Sequence, residues 1–245
     1  MSLLVSAYYR IPSKQPHTFY QAHLKRFFSF LKGKPILFFC QEETQREIES
    51  FGVPLDTVKF VILPFSQLYQ EAGVPLEMWK ETCKIDPEKY HTPELGIVWS
   101  CKKEFVRLAS ERKKDIDWFI WIDAGCIRNE MWEESCKEFT NCKLQTLAPG
   151  VYLQKIKTIQ TKQFYTYPDI SIAGAIIVFH KNYILPYRSL YNSTLLQYYI
   201  NNVPFIMDQY IMLSMINVEN EWLHTIDATT LSLRNDKWFF FLEWI

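Results

Sequence analysis

No charge of either sign predominates in this chain: 27 lysines and arginines stand against 27 aspartates and glutamates. No basic block is long enough to follow a phosphate backbone, which argues against nucleic acid as the main partner. The six cysteines (Cys40, Cys83, Cys101, Cys126, Cys136, Cys142) form no CxxC pair and no Cys/His cluster at zinc spacing, so neither a structural zinc nor a dithiol motif is expected. The N-terminal MSLLVSAYYR is too short and too polar to be the apolar region of a signal peptide. No apolar run reaches the roughly 18 to 20 residues that span a bilayer. There is no internal repeat and no low-complexity tract. These absences lead to the expectation of a soluble, cytoplasmic protein with free thiols and no transmembrane segment.

What is present is apolar bulk. Hydrophobic residues make up 48% of the 245 and aromatics 16%, ample for one large α/β domain over 1–245. Continuous apolar runs at 3–9, 35–40, 58–63, 117–123 and 170–179 read as buried strands, with weaker ones at 144–148 and 222–227. Between them the spacing predicts helices over 16–31 (Phe19, Leu24, Phe27, Phe28 and Leu31 inward), 42–52, 97–112, 129–139, 183–200 and 208–220. In 97–112 the stripe runs through Ile97, Val98, Cys101, Phe105, Leu108, Ala109 and Arg112, leaving Lys102, Lys103 and Glu104 off it. Strands of this kind separated by helices predict a mainly parallel central sheet flanked by helices. Segment 64–96, with four prolines and weak periodicity, reads as an irregular insertion of loops and short helices. The closing WFFFLEWI is either a last element packed on the core or a membrane-surface or partner contact.

The chemistry concentrates at DWFIWIDAGCIR (117–128). A buried strand ends there on Asp123, and an isolated carboxylate cannot remain charged in a core. Either it caps the next segment, or it stands at the carboxyl rim of the sheet, where α/β proteins bind ligands. Ala124 and Gly125 leave room for a close approach. A carboxylate so placed suits Mn²⁺ or Mg²⁺ shared with a diphosphate. Asp208 opens a later helix, as a plain N-cap or as a carboxylate able to deprotonate a hydroxyl. His224, in WLHTID, is either structural or a further metal ligand beside Asp123.

Five segments in order resemble the HtrL/YibB (WlaTC-type) glycosyltransferase-like family: LLVSAYYR, IVWSCKKEFV, WFIWIDAG, ISIAGAIIVFHK and DQYIMLSMI. The resemblance covers nearly the whole chain, with 64–96 the least matched part. It implies a single domain of the GT-A type with a Rossmann-like sheet. The implied activity moves a sugar from a nucleotide-diphosphate sugar to a hydroxyl of a glycan, lipid or protein acceptor. It also implies roles. Ala7, Tyr8 and Tyr9 would line the nucleotide, and Asp123 would match the first acid of the metal-binding DxD motif. Lys102, or Lys103 one residue on, would approach the phosphates. Ala173 and Gly174 would form a shelf under the sugar, and Asp208 would face acceptor or donor.

One departure stands out: the second acid of DxD is Gly125 here. A metal would then lean on Asp123 with His224 or Asp227, or a basic side chain such as Lys102 would carry part of the neutralisation. The same departure supports a second reading, a catalytically inactive relative serving as a binding or assembly module. A nucleotidyltransferase is a third; RIPSKQPH, after the first strand, lacks the glycine its phosphate loop would need.

Overall fold

The structure, a computed structural model, describes residues 1–139, 142–159, 170–218 and 220–245. The strands are β1 (Ser2–Ala7), β2 (Ile36–Cys40), β3 (Val58–Ile62), β4 (Trp118–Ile122), β5 (Val151–Lys155), β6 (Ile172–His180) and β7 (Leu223–Asp227). They form one sheet in the order β3-β2-β1-β4-β6-β5-β7. All pairs are parallel except β4/β6 and β5/β6, where β6 runs against both neighbours. The expected mainly parallel α/β sheet is therefore what forms.

Strands β1, β2 and β4 are almost wholly buried along their length, which is why their sequences show little polar alternation. Side chains still alternate between faces: Leu3, Val5 and Ala7 belong to one core cluster, Leu4 to the other. The first cluster is closed by α3 (Phe65–Glu71), α4 (Leu76–Ile85), α5 (Pro93–Ser100), α6 (Lys102–Arg112), α8 (Ile184–Ile200) and α9 (Asp208–Ile216). The second is closed by α1 (His17–Phe30), α2 (Glu42–Glu49), α7 (Trp132–Glu138) and α10 (Phe241–Trp244). Segment 64–96 does hold short helices, and Leu68, Ala72, Val74 and Trp79 join the first core. In α1 and at its C-cap, Leu24, Phe27, Phe28 and Leu31 face inward at helical spacing, but Phe19 is exposed.

Three expectations change. The helix expected over 97–112 is two, broken at Cys101 (φ −76°, ψ −4°); Thr92 caps the first, its Oγ1 accepting from Leu95 N at 3.3 Å. Lys102, Lys103 and Glu104, expected off the apolar stripe, are all buried, because α6 is packed against β1 and β4 on one side and α8 on the other. Residues 142–145 form a 3₁₀ turn where a strand was expected, and the strand lies later, at β5. The reason is Gln154, fully buried inside β5. Its amide donates to Ile176 O at 3.3 Å and Trp238 O at 3.4 Å, and its Oε1 accepts from Phe241 N at 3.0 Å. Those bonds seat the C-terminal segment on the sheet. Phe239, Phe240, Phe241 and Leu242 are consequently buried, so this stretch packs on the core as its last element.

No helix among the described residues is long and apolar enough to cross a membrane. The five cysteines with described side chains are free thiols.

Candidate active site

Beyond the carboxyl ends of β1 and β4 opens a cleft of about 650 Å³. Its floor is tied together where the buried Ser6 hydroxyl donates to Ile122 O at 2.6 Å, joining the tips of the two strands. Asp123 follows directly on β4, its N–H donating to Ala175 O at 2.8 Å. Its side chain keeps 31% of its surface open. It does not cap the next segment. Oδ1 accepts from Trp121 Nε1 at 2.7 Å, a bond set by the strand's own period, since residues two apart share a face.

The second partner of Asp123 is the Lys102 ammonium, 3.2 Å from Oδ1. Lys102 is 5% exposed and is enclosed by protein oxygens. It donates to Gly174 O at 2.8 Å and lies 2.8 Å from Asp208 Oδ2. The last contact is an ion pair without hydrogen-bond alignment, and Oδ2 has no directed donor. Gly174 makes this approach feasible: a Cβ there would stand 2.7 Å from Asp208 Oδ2. Burial by itself would lower the Lys102 pKa, but Asp123 and Asp208 outweigh it and hold the ammonium above its ordinary value. Burial pushes the Asp123 carboxyl up, with Lys102 pulling the other way and Asp208 adding to the rise. Two carboxylates around one ammonium leave this trio with one net negative charge.

Lys103, the alternative to Lys102, is used elsewhere. Its ammonium donates to Ser100 O at 2.7 Å and lies 4.7 Å from the centre of the Tyr191 ring. Glu104 accepts from Arg107 and Arg188 at 2.8 and 2.6 Å.

The walls are aromatic. Tyr8, Phe19, Tyr20, Tyr90, Trp99, Trp238 and Phe239 all border the cleft. The Tyr8 hydroxyl meets His17 Nδ1 at 3.2 Å, and His17 Nε2 meets Glu47 Oε1 at 2.6 Å, with Gln21 donating to the same oxygen. A carboxylate accepts, so Nε2 carries a proton and the chain fixes the tyrosine's edge. Burial, then Glu47, raise the Tyr8 pKa. Tyr9 offers the cleft only its ring, because its hydroxyl donates to Leu63 O at 3.1 Å.

Of the residues expected at the site, Ala7, Tyr8, Tyr9, Lys102, Asp123, Ala124, Gly125, Gly174 and Asp208 line this cleft. A Cβ on Gly125 would meet nothing within 4 Å, so that glycine faces open space. Ala173 is fully buried, and its half-buried neighbour Ala175 lines the cleft in its place. His224 stands elsewhere. It pairs with Tyr152 on β5, which is level through β6 with Ile120 of β4. Three strand spacings of about 4.8 Å each therefore separate it from β4. Its ring lies against Tyr152 and over Gly150, its Nε2 has no hydrogen-bond partner, and burial lowers its pKa. Asp227 is paired with Lys155 at 2.8 Å.

The residues present do not fit a divalent cation in the way two acids would. Gly125 offers no ligand, His224 is remote, and the Lys102 ammonium stands where a metal between Asp123 and Asp208 would have to sit. Among the described residues no three His, Cys, Asp or Glu side chains are grouped to hold a metal. Sequence reasoning missed Trp121, His17, Lys14 and Arg128; only Trp121 carried a local signal, two residues before Asp123.

No family model and no curated protein matches this chain. Among solved structures it is similar to "a glycosyltransferase involved in the glycosylation of the major capsid of PBCV-1", at 10% identity and a TM-score of 0.44, over 92% of this chain and 81% of that one.

Proposed function

We propose that this protein is a nucleotide-sugar-dependent glycosyltransferase of the HtrL/YibB kind, moving a sugar from a nucleoside diphosphate to a hydroxyl acceptor on a glycan, lipid or protein. The observation that carries this reading is the position of Asp123: a single half-open carboxylate at the rim of β4, on the floor of a cleft walled by aromatic rings. Flat aromatic faces suit a nucleobase and the apolar face of a pyranose.

In the transfer, the acceptor oxygen forms its bond to the anomeric carbon as the bond from that carbon to the phosphate oxygen breaks. The nucleoside diphosphate leaves with the electron pair, and the acceptor's proton must go to a base. Asp123 is the more accessible carboxylate, and burial raises its pKa, which strengthens it as a base. Asp208, expected from sequence to take that role, is 5% exposed and acts here as the counter-charge that holds Lys102. Tyr8, fixed by His17 and Glu47, lines the nucleotide.

The test is a melting-temperature panel with UDP- and GDP-sugars, followed by donor hydrolysis. At least one donor raises the melting temperature, and Asp123→Asn lowers turnover by about 10²- to 10⁴-fold with donor affinity largely kept. An Asp123→Asn protein with unchanged turnover, or no shift with any donor, defeats the reading. No turnover by wild type despite firm donor binding instead favours the inactive binding module.

A further inference from the structure

Lys14 and Arg128 border the same cleft as Asp123, on loops that follow β1 and β4. Together with Lys102 they are its only lysine or arginine lining residues among those described, against Asp123 and Asp208 as its only acids. Lys102 is consumed by those two acids. Lys14 and Arg128 are exposed and form no ion pair with a carboxylate among the described residues. Each instead rests on an aromatic ring at the cleft: the Lys14 ammonium 4.5 Å from the centre of Tyr90, and the Arg128 guanidinium 5.0 Å from that of Phe239. Elsewhere the chain pairs cations readily, as with Arg26 and Glu130 or Arg107 and Glu104. Two unpaired cations facing one cleft, beside an acid trio that already holds its own cation, ask for an anion.

We infer that Lys14 and Arg128 form the diphosphate-binding site of the donor, and that the donor binds there without a divalent cation. This rests on the glycosyltransferase reading and names how that site takes its substrate. The charges match. A nucleoside diphosphate ester carries one negative charge on each phosphate, and the two side chains supply one positive charge apiece. A planar guanidinium can bind phosphate oxygens in a bidentate fork, while the lysine acts as a point charge. A metal placed against Asp123 would meet the Lys102 ammonium, 3.2 Å from the same carboxylate, and would be repelled by it.

The experiment is titration calorimetry of the whole chain with UDP and with GDP, each in EDTA and again in Mn²⁺. Variants are Lys14→Gln, Arg128→Gln and, as a control at an exposed residue of α2 that does not line the cleft, Arg46→Gln. The expected result is an affinity within twofold with and without Mn²⁺ for whichever nucleotide binds. Arg128→Gln and Lys14→Gln should each weaken binding by about tenfold or more, with unchanged melting temperatures because both residues are exposed, and Arg46→Gln should bind as wild type does. Binding that requires Mn²⁺ overturns this inference and leaves the glycosyltransferase reading standing. Binding in EDTA that neither cleft variant weakens also overturns the assignment. Absence of binding by either nucleotide under both conditions removes the inference, and if nucleotide sugars also give no melting shift, the reading falls with it.

Discussion

Without the Lys102 ammonium, the carboxylates of Asp123 and Asp208 would face each other at the cleft floor with no counter-charge. Removing one partner of a buried ion pair typically costs about 3 to 5 kcal/mol, because the charge left behind keeps its desolvation penalty. Lys102→Met should therefore lower stability in urea by about that amount at pH 7. The deficit should narrow as the pH falls. In the variant only the Trp121 hydrogen bond still pulls the Asp123 pKa down, so its folded value rises further above the unfolded 3.8, and protonation then favours the folded state. A variant as stable as wild type at pH 7, or a deficit that widens in acid, would mean the trio is not the charge cluster described. Neighbouring residues illustrate how finely roles are divided on α6. Lys102, the residue expected at the site, faces the cleft, while Lys103, its alternative, is turned to Ser100 and Tyr191.

At the scale of elements, the sheet's far edge is closed by β7 pairing with β5, and the Lys155–Asp227 ion pair, at 2.8 Å, ends that ladder. The hydrogen bond from Lys155, and then those from Thr229, hold the Asp227 carboxyl at about 2, below its usual 3.8. A depressed folded pKa adds stability above pH 3.8, which is lost as the pH falls through about 2. Asp227→Asn should accordingly cost up to about 1 kcal/mol at neutral pH, as a partly exposed pair does. The difference from wild type should vanish between pH 4 and 2, measured by chemical denaturation across that range. Most elements are legible in the sequence, because β1, β2, β4 and β6 are apolar runs and α1 has clear helical spacing. Strand β5 is hidden. VYLQK places a glutamine at the core, and that glutamine is satisfied only by Ile176, Trp238 and Phe241, all distant in sequence.

For the whole molecule, two apolar clusters lie on opposite faces of one sheet, with the cleft at the rim where β1 and β4 end. Central strands are covered on both faces, whereas β3, at one edge, has only exposed and half-buried residues. Amide hydrogen exchange should thus be slowest in β1, β2 and β4 and distinctly faster in β3 and β7, followed by mass spectrometry. Equal protection in β3 and β1 would contradict this layering.

The sequence alone determined the alternation of strands and helices, the mainly parallel sheet, and the carboxylate at the end of the fourth strand. Those features follow from local periodicity and from the cost of burying a charge, both readable within a dozen residues. Tertiary structure decided which lysine reaches Asp123, where His224 lies, and which cations remain unpaired at the cleft. These depend on the register between distant strands and on the packing of α6 against α8 and the sheet, and no local pattern encodes distances between residues a hundred positions apart.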